Sequence, residues 1–75
     1  MHRNPNPYFM FKRAEEAMEK NDYDSALALI KKAIKKEENE ERFYQLAITI
    51  YEKRGDKESA QHMRDKLYQL STIRL

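Results

Sequence analysis

The chain has 75 residues, with 15 Lys+Arg against 13 Asp+Glu, one Gly, two Pro and no Cys. That length holds one small domain and excludes a two-lobed enzyme with a cleft between lobes. Apolar residues at 40% and a net charge of +2 exclude a disordered chain of low hydrophobicity and high charge. No apolar run approaches the roughly 18 residues of a membrane span. The absence of Cys removes disulfides, thiol catalysis and Cys-ligated zinc together.

The first predicted element follows a segment, residues 1–6, expected to be flexible. Asn6 can cap free amides, and Pro7 suits a first helical position because its missing N–H has no partner there. Met10, Ala14, Ala17 and Met18 recur at helical spacing, so a helix is expected over about 7–20. Asp22 caps the second helix. Tyr23, Ala26, Leu27, Ile30, Ala33 and Ile34 form its amphipathic stripe, which ends near Glu37-Glu38. Asn39 is expected to cap the third helix. There Phe43, Tyr44, Leu46, Ala47, Ile48, Ile50 and Tyr51 cover almost the whole circumference, the pattern of a helix sandwiched between others. Gly55 supplies a left-handed stop and Asp56 caps the fourth helix, with Ala60, Met63, Leu67 and Leu70 on one stripe. The tail from Ser71 to Leu75 is either its last turn or a short extension. No strand or Gly-rich loop is predicted.

The two helix-joining turns are alike. Sliding the chain by 34 residues aligns Phe9 with Phe43, Asp22 with Asp56, Ser25 with Ser59, Ala26 with Ala60 and Lys32 with Lys66. Three of these identities fall in one short turn, where a cap and a small residue at a close helix approach are both needed. A helix-turn-helix unit of period 34 is the signature of tetratricopeptide repeats, and the stretch Asn21 to Leu27 with Ile30 and Ala33 resembles the second-helix half of that motif. Ala14, Ala26 and Ala33 fall on its small positions, and Tyr44, Tyr51, Gly55, Asp56 and Ala60 match in the second unit. Met10 in place of Trp, Arg13 in place of Leu, Ile48 at a small position, Leu67 in place of Ala and the missing closing Pro depart from it. The Tyr-x-x-Ala-Leu segment is also similar to the three-helix microtubule-interacting and transport domain, but two Asp-capped turns and the break at Gly55 favour four helices.

Catalytic chemistry finds little support. His2 lies near the terminus and His62 on the polar side of the fourth helix, and neither has the partners of an acid–base or metal site. The carboxylates Glu15, Glu16 and Glu19, and Glu37, Glu38, Glu40 and Glu41, lack the Glu-x-x-His elements of helical metal cages. No cofactor, no metal and no enzyme activity are expected. Lys31, Lys32, Lys35 and Lys36 could meet phosphates, but lysines also complement a helix C-terminus, and the neighbouring glutamates cancel much of their field. Nucleic acid is therefore not the expected partner.

Tyr8, Phe9, Met10 and Phe11 cannot all face one core. Some must meet the Ile73/Leu75 tail, a second copy or a ligand, which marks Tyr8, Phe9 and Phe11 as a self-association patch. This four-residue apolar patch is too short for a secretory leader, so a cytoplasmic protein is expected.

The expected fold is all-α: four antiparallel helices in two stacked hairpins, 7–38 and 39–72, within a single domain spanning 1–75. The tetratricopeptide resemblance implies a non-enzymatic module binding a protein or peptide. Its groove would be lined by Phe11, Glu15 and Met18 from one unit and Gln45, Thr49 and Glu52 from the other. Stacked repeats usually need about three units, so two units imply capping or a homodimer. Two alternatives stand beside this: a self-associating structural protein, or a nucleic-acid accessory protein using Lys31 to Lys36.

Overall fold

At Asn6 the backbone is extended (φ −72°, ψ 130°), and its side-chain oxygen accepts the Tyr8 N–H at 2.8 Å, which starts the first helix. The structure is a computed structural model that describes residues 6–74, with side chains over 6–72; the expected flexibility of 1–5, His2 and the side chains of Ile73 and Leu75 lie outside the described residues. Four helices follow: α1 (Pro7–Glu19), α2 (Tyr23–Lys36), α3 (Glu41–Arg54) and α4 (Lys57–Arg74). Ser71 to Arg74 continue α4.

The turns α1–α2 and α3–α4 repeat one geometry in the 34-residue register. Asn21 and Gly55 both take the left-handed conformation, at φ 61° and 79°. Glycine adopts it without a Cβ penalty, and Asn tolerates it better than most residues. The Asp22 N–H donates to Ala17 O at 2.8 Å, and the Asp56 N–H to Tyr51 O at 2.9 Å. Asn21 and Gly55 donate to Met18 O and Glu52 O, closing each helix in a Schellman pattern. Each Asp then caps the next helix: Asp22 Oδ1 accepts the Ser25 N–H at 3.3 Å and Asp56 Oδ1 the Ser59 N–H at 3.1 Å.

The helix starts share the register too, since Pro7 maps onto Glu41 and Tyr23 onto Lys57. The third cap is accordingly Glu40, the mate of Asn6, and not Asn39. A Glu40 carboxylate oxygen accepts the Arg42 N–H at 3.3 Å, whereas the Asn39 N–H is turned to Glu37 Oε2. Glu is a poor intrinsic cap. It serves here because the Tyr8 hydroxyl donates to its other oxygen at 2.9 Å and the Arg42 Nε holds it at 3.1 Å.

Packing is pairwise. α1 lies on α2, α3 on α4, and α3 also meets α2 and, more lightly, α1. Among the described residues no Cα of α4 lies within 8 Å of one in α1 or α2. The core is Met10, Ala14, Ala26, Leu27, Ile30, Ala33, Phe43, Ala47, Ile50, Tyr51 and Ala60. Ala14, Ala26, Ala33 and Ala60 are fully covered, as expected of small residues that let helix backbones approach. α3 is the sandwiched helix that its all-round apolar pattern requires. Arg54 Nη1 reaches Asp24 Oδ1 at 2.8 Å and ties α3 to the start of α2, and Arg64 pairs with Glu52 between α4 and α3. The Tyr44 hydroxyl donates to Glu38 O at 2.8 Å and pins the α2–α3 loop. The result is a slab 38 × 29 × 14 Å. A helix with its side chains is about 10–12 Å across, so every helix keeps an outer face. No helix among the described residues is long and apolar enough to cross a membrane.

Candidate interaction faces

The first face is made by α1 and α3. Tyr8 and Phe11 of α1 turn their rings onto Phe43, with centroids 5.3 Å away in each case, and Phe43 is fully buried beneath them. Over these rings lies Arg42, its guanidinium 5.6 Å from the Tyr8 ring and 5.7 Å from the Phe11 ring, within the range of a cation–π contact. The Arg42 hydrogen bond holds the Glu40 carboxyl below the usual carboxylate range, and the bond from Tyr8 to Glu40 raises the Tyr8 hydroxyl above its usual value. Glu15 adds its field at Arg42.

Phe11 and Glu15 are thus brought to one junction with Arg42. Met18 is half-buried against the core, and Gln45 and Thr49 lie exposed one turn apart on α3, where the Thr49 hydroxyl donates to Gln45 O. Glu52 is engaged by Arg64 and lines a shallow cleft of about 350 Å³ with Lys57, Ala60 and Gln61. Arg42 joins this face most tightly, and its role rests on contacts that no local spacing announces. Tyr8 and Phe11 both pack a ring on Phe43, yet Tyr8 stays 44% exposed and Phe9 58%.

The second face lies between α2 and α4. Because the backbones of these helices stay more than 8 Å apart, Ala47 and Tyr51 of α3 form the floor of a cleft of about 300 Å³, walled by Ile34 on one side and Met63 on the other. Lys31 and Lys35 stand at its rim. Lys66, one helical turn beyond Met63, has the same sign. Neither rim lysine takes an ion pair or a side-chain hydrogen bond among the described residues. The sequence signal was Ile34 between Lys31 and Lys35 on one helical face, hidden because Ile34 also continues the core stripe of α2.

The remaining lysines, Lys32 and Lys36, face a wide open groove of about 1000 Å³ with Lys35, beside Asn6, Pro7, Tyr8 and Met10 at the start of α1. His62 is exposed. Among the described residues no three His, Cys, Asp or Glu side chains converge as metal ligands. Comparison with family models, with curated proteins and with solved structures finds no match for this chain.

Proposed function

We propose that this protein is a non-catalytic protein-interaction module, two degenerate tetratricopeptide-like units that dock an acidic amphipathic segment of a partner in the α2–α4 cleft. One observation carries the reading. The cleft combines an apolar floor and walls, Ala47, Tyr51, Ile34 and Met63, with rim lysines that have no internal partner. A bound segment would cover the half-buried Ile34 and Met63 with one or two large apolar side chains and set its carboxylates against Lys31 and Lys35. Its apolar side chains would supply affinity, and the charges would supply orientation and on-rate. The α1–α3 face offers less, because Arg42, Glu40, Tyr8 and Phe11 already satisfy one another. The repeat reading draws support from helix starts, left-handed turn residues and Asp caps that recur in one 34-residue register.

The test is an NMR titration with a synthetic Glu-rich helical peptide carrying Leu at i and i+4, beside a scrambled peptide and a short DNA duplex. Shift changes at Ile34, Tyr51 and Met63 that vanish in a Lys31→Glu/Lys35→Glu variant are expected. Changes confined to Phe11, Gln45 and Thr49 would move the site to the α1–α3 face. Binding of the duplex in place of the peptide would replace the reading with a polyanion one.

A further inference from the structure

Each end of the helix stack leaves an outer face open among the described residues. Translating α2 by 34 residues onto α4 turns Leu27, Ile30 and Ile34 of its apolar stripe into Gln61, Arg64 and Tyr68. Two of these are satisfied in place, Gln61 donating to Asp65 at 3.0 Å and Arg64 pairing with Glu52. The third, Tyr68, is 73% exposed, so that end presents one large ring among polar groups. The α1 end also presents one, among charges of both signs. The α3 residues Phe43, Ala47, Ile50 and Arg54, of which Phe43 meets Tyr8 and Phe11 and Arg54 pairs with Asp24, map back onto Phe9, Arg13, Glu16 and Lys20 of α1. Phe43 and Ile50 are fully buried and Ala47 nearly so, whereas all four α1 mates are exposed. Phe9 has Arg13 over its ring at 5.7 Å, and Arg13 Nε stands 4.0 Å from Glu16 Oε1.

We propose that the Phe9–Arg13–Glu16–Lys20 face of α1 is a weak homodimer interface, pairing antiparallel with the same face of a second copy about a two-fold axis. Charge identifies the occupant. On this face Arg13 stands in the first half of α1 and Glu16 in the second, with Lys20 at its end. Antiparallel pairing of identical helices sets the Arg13 of each copy against the Glu16 of the other. Centred between Arg13 and Glu16, the two-fold places each Arg13 on the other copy's Glu16 and each Phe9 beside the other copy's Lys20 stem. An isologous contact uses one surface twice and closes. Head-to-tail stacking onto α4 would set Phe9 against Gln61, Arg64 and Tyr68 and would not exchange Arg13 and Glu16 twice. A single helix of 13 residues spans only about 20 Å. The contact therefore falls at the small end of specific interfaces and is expected to form at high concentration and low salt.

A charge swap tests the pairing. Sedimentation equilibrium is run on the full chain, on Arg13→Glu, on Glu16→Arg and on an equimolar mixture of the two variants, with circular dichroism confirming that each is helical. Both side chains are more than half exposed, so the fold is expected to persist. Wild type should self-associate, with the association weakening as salt rises. Each variant alone should lose about tenfold or more in affinity, because like charges then meet twice. The mixture should recover association as a heterodimer, since opposite charges meet again in both contacts. Lys31→Glu should leave all of this unchanged, separating this face from the α2–α4 cleft. A wild type monomeric at every concentration would overturn the proposal, as would variants that associate as wild type does or a mixture no better than its components.

Discussion

α2 and α4 occupy equivalent places in the two hairpins and begin one 34-residue period apart, yet they live in different surroundings. α2 buries Ala26, Leu27, Ile30 and Ala33 because α1 covers one side of it and α3 another. In α4 Ala60 is fully buried, while Met63, Leu67 and Leu70 are only partly covered, because α3 is its sole helical neighbour among the described residues. A helix covered on two sides needs a broad apolar face, and one covered on a single side needs a stripe. Residue type follows that demand, with Leu27 and Ile30 giving way to Gln61 and Arg64. The same contrast holds between Phe43 and Phe9, identical residues in register, one fully buried and one 58% exposed.

Substitution at Phe43 should break the comparison most severely. Phe43→Ala removes a fully buried ring and is expected to cost about 3–5 kcal/mol, enough to unfold much of a chain this small, whereas Phe9→Ala should stay within about 0.5 kcal/mol in the monomer. Urea denaturation at low protein concentration, read as the shift in midpoint, checks both. Next in size, Ile30→Ala should cost about 2–5 kcal/mol, and Arg64→Ala less than about 1 kcal/mol because it loses a surface ion pair. Equal losses at Ile30 and Arg64 would mean that the second hairpin is as enclosed as the first.

The turns sharpen the comparison from the other side, because there the hairpins are alike. Asp22→Ala and Asp56→Ala should each cost about 0.5–2 kcal/mol, and by similar amounts, since both carboxylates accept the same third-residue N–H. Gly55→Ala should cost about 1 kcal/mol: an added Cβ meets nothing within 4 Å, so the cost is the left-handed backbone at φ 79°. Thermal melts of all three variants decide this, and a neutral Gly55→Ala would contradict the backbone argument.

The smallest effect is expected from pH. Glu40 caps α3 with a depressed pKa, while its mate Asn6 caps α1 without titrating. The stability that Glu40 adds is present above the ordinary carboxylate range and lost as pH falls through its lowered value, so acid should fray α3 before α1. Asp56 is depressed by its bonds from Ser59 and acts in the same direction. Burial raises the Tyr44 hydroxyl. Its contribution is complete below the ordinary tyrosine value of about 10 and lost as pH climbs through the raised one. Amide exchange followed at acid and alkaline pH measures these losses, and equal fraying of α1 and α3 in acid would remove the Glu40 argument.

Helices, turns and the two-hairpin order were legible because each depends on neighbours in sequence. A 3.6-residue stripe, an Asp three residues ahead of the N–H it accepts, and a Gly after the last turn are local devices. What escaped reading was long-range. Glu40 replaced Asn39 as a cap because Tyr8, 32 residues away, and Arg42 hold its carboxylate. Tyr8 and Phe11 turn their rings onto Phe43, which half-buries Phe11 and leaves Tyr8 44% exposed beside Phe9. Of the residues expected to line a groove, Phe11 and Glu15 meet Arg42, but the apolar cleft with unpaired lysines lies elsewhere, over Ala47 and Tyr51.

By itself the sequence determined four rods, their joints and a period of 34, since backbone hydrogen bonding and side-chain periodicity act within a few residues. Tertiary structure alone decided which faces remain open. Whether Phe9, Ile34 or Lys35 meets solvent depends on the separation of α2 from α4 and on the outer face of α1 having no helix over it among the described residues. Those are consequences of how whole rods stack, and no window of neighbouring residues contains them.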